Sequence, residues 1–123
     1  MYITAATLSV LLTLITISAG VPKVRLKGAS IDILQSHMGL SPGAVRLIGL
    51  AEIAAAAGLV VGLFWQPLGI AAATGFAVLT VGAAVFHGRA GDFANPDTRA
   101  NAIAPMVFCL LSVAAAVTLT LAT

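Results

Sequence analysis

Residues 42–64 read PGAVRLIGLAEIAAAAGLVVGLF, an apolar run with one acid, Glu52, ten positions after Pro42. A membrane-spanning helix needs about 20 predominantly apolar residues, and this stretch meets that length. A carboxylate at such depth is costly unless it faces the protein interior and finds a partner, so an intramembrane acid marks a functional site by default. The stretch therefore decides both the solvent of the fold and the place to look for its chemistry.

Outward from it, three more stretches qualify as spans: Tyr2 to Gly20, Pro67 to Phe86 and Ala102 to Leu121, none of which contains a charged residue. Hydrophobic residues make up 60% of the chain and charged residues 8%, with a mean hydropathy of +1.10, which leaves too little polar surface to cover a water-soluble domain. No alternation of period two marks a transmembrane barrel. The expectation is an all-α integral membrane protein, one domain over residues 1–123, folded as a four-helix bundle. Ser41-Pro42 and Gln66-Pro67 put proline in a helical first turn, while Gly20-Val21-Pro22 and His87-Gly88 supply stops. The first stretch has no Lys or Arg from Met1 to Ser9, which is unlike a cleaved signal peptide.

All six basic residues, Lys23, Arg25, Lys27, Arg46, Arg89 and Arg99, lie in or beside the first and third connections. With four spans those connections share one side. The positive-inside rule makes that side cytoplasmic and puts both termini on the outer face of the cell membrane. The basic balance is thus a topology signal that implies anionic lipid headgroups as neighbours and no nucleic-acid partner. Trp65 and Tyr2 read as interfacial aromatics on the outer face. In the first connection Ile31, Leu34 and Met38 recur at helical spacing between Gly28 and Gly39, which predicts a short interfacial helix over Ser30 to Met38.

Small and polar residues form a stripe along each span, as close packing in lipid requires. The stripes are Ser9, Thr13, Thr16 and Gly20; Val45, Gly49, Glu52, Ala56 and Leu59; Phe76, Thr80, Ala83 and His87; and Asn101, Pro105, Phe108, Ser112 and Ala115. Glu52 belongs to one of them and so points inward. Arg46 lies six residues before it, roughly 120° around the helix and about 9 Å along it, and its side chain leans away. It snorkels to headgroups or meets another helix. His87 can donate, accept or titrate, and Lys23 and Asn101 lie at the same level. The expected site is a polar pocket open to the cytoplasmic leaflet. Glu52 forms its floor, His87 works with it as acid or base, and Lys23, Arg46, Asn101, Thr16 and Thr80 contact the ligand. Asp92, Asp97, Arg89 and Arg99 read as a solvated, mutually screened turn.

Other chemistries find no support in the residues. Cys109 is the single cysteine and lies within a span, so no internal disulfide or thiol relay is expected. His37 and His87 lack ligand spacing, so neither a metal centre nor a haem is expected. No glycine-rich phosphate loop or nucleophile elbow occurs.

Gly39-Leu40, Val45-Arg46-Leu47-Ile48-Gly49-Leu50-Ala51-Glu52-Ile53, Ala57-Gly58-Leu59, Pro67 and His87-Gly88-Arg89-Ala90-Gly91-Asp92 together resemble the DoxX-like family of small four-span membrane proteins. Val21-Pro22-Lys23 is similar to the lysine end of that family's first span. The resemblance covers nearly the whole chain and points to Lys23, Glu52 and His87. It implies links to quinone-associated oxidation of sulfur compounds, to oxidative-stress complexes or to receptor-assembly chaperones. Three functions follow as expectations. The chain binds a lipophilic, quinone-like molecule with a polar head, alone as an acid/base catalyst or beside a partner oxidoreductase; it is a non-catalytic assembly partner; or it is a proton-coupled exporter. A homo-oligomer is compatible with each.

Overall fold

The computed structural model describes residues 1–122, without the side chains of Ala29 and Ser30. Helix α1 spans Tyr2–Arg25, α2 spans Ala29–Asp32 and leads into a π-helical turn at Ile33–His37, α3 spans Pro42–Val61, α4 spans Gln66–Arg89 and α5 spans Arg99–Leu121. No strand occurs among the described residues. The four long helices are each apolar and long enough to cross a membrane, and the chain is a multi-pass membrane protein. At 1.5 Å per residue the 24 residues of α1 and of α4 reach about 36 Å, against a hydrocarbon core of about 30 Å.

The four spans close a ring. Helix α1 packs chiefly on α3 and α4 on α5, while α3–α4 and α1–α5 contacts complete the circuit. Each span contributes to one core, in which Leu12, Leu59, Ala73, Phe76 and Ala115 are buried together. The stripes expected from spacing largely face this interior. All five members on α3 are buried, as are Ser9, Thr16 and Gly20 on α1, Phe76, Thr80 and His87 on α4, and Ser112 and Ala115 on α5. Asn101 is exposed. At the far end the Gln66 side-chain amide donates to the carbonyl of Leu119, which ties the start of α4 to the end of α5.

The first span departs from expectation. Gly20-Val21-Pro22 does not stop it, and α1 runs through Pro22 to Arg25. A proline ring removes one N–H donor, a loss that transmembrane helices accommodate. The helix ends instead at Leu26, in the left-handed region at φ 54°, where the N–H groups of Leu26 and Lys27 bond to the carbonyls of Lys23 and Pro22. Lys23 is consequently a helical residue with a fixed direction. The interfacial helix also differs: one turn of α-helix passes into a π turn, bracketed by Gly28 and Gly39 at positive φ. Ile31 is buried, and Leu34 and Met38 are half-buried.

Candidate functional site

Helices α1 and α3 run antiparallel and touch through glycine. A methyl group on Gly20 would lie 2.9 Å from the carbonyl oxygen of Gly49, and one on Gly49 would lie 2.8 Å from that of Gly20 and 2.7 Å from Cβ of Lys23. The absence of side chains at both positions permits this approach, and the approach sets the register. Glu52 lies three residues after Gly49 with its Cβ against Gly20, and Lys23 lies three residues after Gly20 with its Cβ against Gly49, so the two side chains reach toward each other across the glycine contact. Lys23 Nζ donates to Glu52 Oε1 at 2.5 Å. Glu52 is 4% exposed and the lysine side chain 17%, so the acid is inside while its cation still reaches the surface.

A second polar cluster lies at the same end of the bundle. Helix α4 ends in a turn with Gly91 at φ 78°, in which Asp92 N–H bonds to the carbonyl of His87 at 3.0 Å and Gly91 N–H to that of Gly88 at 3.2 Å. This glycine-closed helix end folds the chain back on itself. It brings the Asp92 carboxylate under the imidazole of His87, with Nδ1 to Oδ2 at 2.5 Å. From the π turn, His37 Nε2 meets the other oxygen, Oδ1, at 2.6 Å. Asp92 is 1% exposed, His87 is buried and the His37 side chain is 38% exposed. The bond from His87, aided by His37 and Thr98 and opposed by desolvation, holds the Asp92 carboxyl down at about 2.

The model of the DoxX-like family matches residues 7–120. The chain belongs to the DoxX-like family. No curated protein and no solved structure matches it.

In this DoxX-like bundle the residues expected at one pocket divide into groups. Lys23 and Glu52 are brought together; His87 joins Asp92 and His37 instead. Gly58 faces Ala72 across α3 and α4, which places Glu52 level with about residue 78 and His87 about nine residues, roughly 13 Å, nearer the connection end. That offset is why His87 does not partner Glu52. Thr16 and Thr80 are buried, but their hydroxyls donate to the carbonyls of Thr13 and Ala77 in their own helices. Arg46 and Asn101 are exposed and make no hydrogen bond with Glu52. The expected solvated turn is corrected at one residue: Asp92 is buried and doubly bonded, while Arg89, Asp97 and Arg99 are exposed. Two cavities are lined respectively by Tyr2, Gly62, Gln66 and neighbours at the far end, and by Leu14, Ile15, Ser18, Ala19 and Phe108 at the α1–α5 seam; neither touches Glu52.

Sequence reasoning missed Asp92 and His37. A usable signal was present for the first, since Gly91 can occupy the left-handed position after a helix end and turn the next residue back toward His87. For His37 there was none, because its approach depends on how the first connection crosses to the third.

Proposed function

We propose that the chain binds the polar head of a lipophilic, quinone-like molecule at the basic end of the bundle, which faces the cytoplasm. Glu52 is the proton acceptor and Lys23 its counter-ion, and the molecule is either presented to a partner oxidoreductase or protonated and deprotonated in place. The observation that carries this reading is the Lys23–Glu52 pair at 2.5 Å inside a span. A packing role alone does not favour a buried ion pair, because apolar residues of similar volume serve stability as well or better. The pair instead offers an oxygen-bearing head group one donor and one acceptor, with the lysine partly exposed.

A specific observation favours a second reading, a non-catalytic assembly partner. Glu52 and Asp92 already have internal partners, and neither described cavity reaches Glu52. A proton-coupled exporter is the third reading and requires flux driven by a pH gradient.

A short-chain quinone titrated into the protein in nanodiscs separates these. Glu52→Gln and Lys23→Met each strand a partner and are expected to lose about 3 kcal/mol of stability, whereas Lys23→Met with Glu52→Met restores most of it. All three are expected to lose roughly tenfold or more in quinone affinity, the equivalent of one charge-assisted hydrogen bond. Unchanged binding in the stable double variant sinks the proposal and leaves the assembly reading. Gradient-driven quinone-independent flux by the wild type replaces both with the exporter.

A further inference from the structure

The two imidazoles on Asp92 are outside the Lys23–Glu52 pair, and their hydrogen bonds determine which nitrogen carries the proton. An ionised carboxylate only accepts hydrogen bonds. Asp92, held at about 2, is ionised at neutral pH. The ring nitrogens that meet its oxygens, Nδ1 of His87 and Nε2 of His37, must therefore both be N–H donors. In a neutral imidazole the remaining nitrogen is then an acceptor with a free lone pair. For His87 that nitrogen is Nε2. It makes no hydrogen bond among the described residues, and the His87 side chain keeps 8% of its surface exposed. The same logic orients a general-base histidine wherever a buried carboxylate holds Nδ1–H.

We infer that Asp92 is a positioning residue that locks His87 in the Nδ1–H tautomer, making His87 Nε2 a second proton-accepting site for ligands that present an O–H group, such as a hydroquinone. The inference extends the proposed head-group binding and rests on it for the ligand class only. The tautomer itself follows from geometry. His37 shares the carboxylate and occupies the opposite oxygen, so it steadies Asp92 from the interfacial segment without touching Nδ1 of His87. The charged groups on the adjoining helix ends do not compete: Arg89 and Asp97 are exposed and form no ion pair among the described residues, and Arg99 donates through Nε to the carbonyl of Phe93.

Nitrogen NMR of the full chain, labelled with ¹⁵N at histidine and held in nanodiscs at alkaline pH, where only the neutral tautomers are compared, reads this directly. The chain has two histidines, so His37→Ala leaves a single set of ring signals that belongs to His87. The expected result is a protonated, pyrrole-like Nδ1 and an unprotonated, pyridine-like Nε2, both in the wild type and in His37→Ala. In Asp92→Ala the assignment should reverse toward the Nε2–H form that free imidazole favours, and Glu52→Gln should leave it unchanged. An Nε2–H form in the wild type, or an Nδ1–H form that survives Asp92→Ala in a folded protein, overturns the positioning role. A short-chain hydroquinone added without oxygen should shift the Nε2 resonance, and its di-O-methyl ether should not. Equal shifts with both compounds, or none with either, overturn the acceptor site. Since the tautomer is read without ligand, failure of quinone binding at Glu52 and failure of this inference are separate outcomes.

Discussion

Asp92 ties the stability of the connection end to pH in one direction. Its carboxyl is held at about 2 when folded and has an ordinary value of 3.8 when released. A group with a depressed folded value contributes fully above its unfolded value and loses that contribution as pH falls through the folded value. The stabilisation due to Asp92 should therefore be complete above about pH 4 and decay toward about pH 2. Comparing thermal midpoints of wild type and Asp92→Asn in detergent checks this: the gap should be constant at neutral pH and close over that acid interval. A gap that persists unchanged to pH 2 would show that the carboxylate charge is not what the two imidazoles hold. The residue was legible only through its neighbour: it sits among Arg89, Asp97 and Arg99 in a polar connection, and Gly91, which can take the left-handed position after a helix end, is what singles it out as the acid that turns inward. Glu52 was legible by itself, since an acid surrounded by some twenty apolar positions has few physical excuses.

At the scale of helices, the decisive contact is that of α1 on α3. Periodicity identified Gly20 and Gly49 as members of small-residue stripes, but stripes carry no register, so Lys23 could be placed only at the level of His87, near the rim of the pocket, and not against Glu52. The same gap explains the assignment of His87 to the Glu52 pocket, because the α3–α4 register that separates them by roughly 13 Å is a property of packed surfaces. Pro22 misled in another way: its usual role as a helix stop fails inside a span, and the extra turn is what orients Lys23. A methyl group at residue 49 would lie 2.7 Å from Cβ of Lys23, 2.8 Å from the carbonyl oxygen of Gly20 and 3.0 Å from Cγ2 of Val24, and the two nearest of these atoms cannot swing aside. Gly49→Ala should thus separate α1 from α3, lengthen the Lys23–Glu52 contact and cost about 1–3 kcal/mol as an overpacked site does. Gly82→Ala, with nothing within 4 Å of the added methyl, is the control and should be neutral or gain up to about 1 kcal/mol in helix propensity. Thermal unfolding of both variants in detergent measures the contrast. Equal effects would mean that the glycine contact does not govern the register.

Across the whole molecule, all side-chain charge other than Glu52 collects at one end. The six basic residues lie at the end of α1, the start of α3, the end of α4, the start of α5 and the segment after α1, and Asp32, Asp92 and Asp97 share that end. The other end holds Tyr2, the turn between α3 and α4 and the close of α5, with Tyr2 and Trp65 each 60% exposed and no Lys, Arg, Asp or Glu. This separation was fully legible, because an even number of spans must return both termini to one side. Insertion retains Lys and Arg in short loops on the cytoplasmic side, whereas acids contribute little to the choice. Six basic residues against none is a large bias, and it also opposes the balanced loops that an antiparallel dimer would need. Single cysteines at residues 2, 65 and 89, in a Cys109→Ala background, test the orientation with an impermeant thiol reagent on intact cells. Tyr2→Cys and Trp65→Cys should label from outside, and Arg89→Cys should label only after the membrane is opened. The reverse pattern would put Lys23, Glu52 and the Asp92 cluster at the outer surface, and a proton acceptor there would exchange with the external medium instead of the cytoplasm. Labelling of all three sites in intact cells would mean that the chain inserts both ways, which would remove the basis for reading its charge as an address.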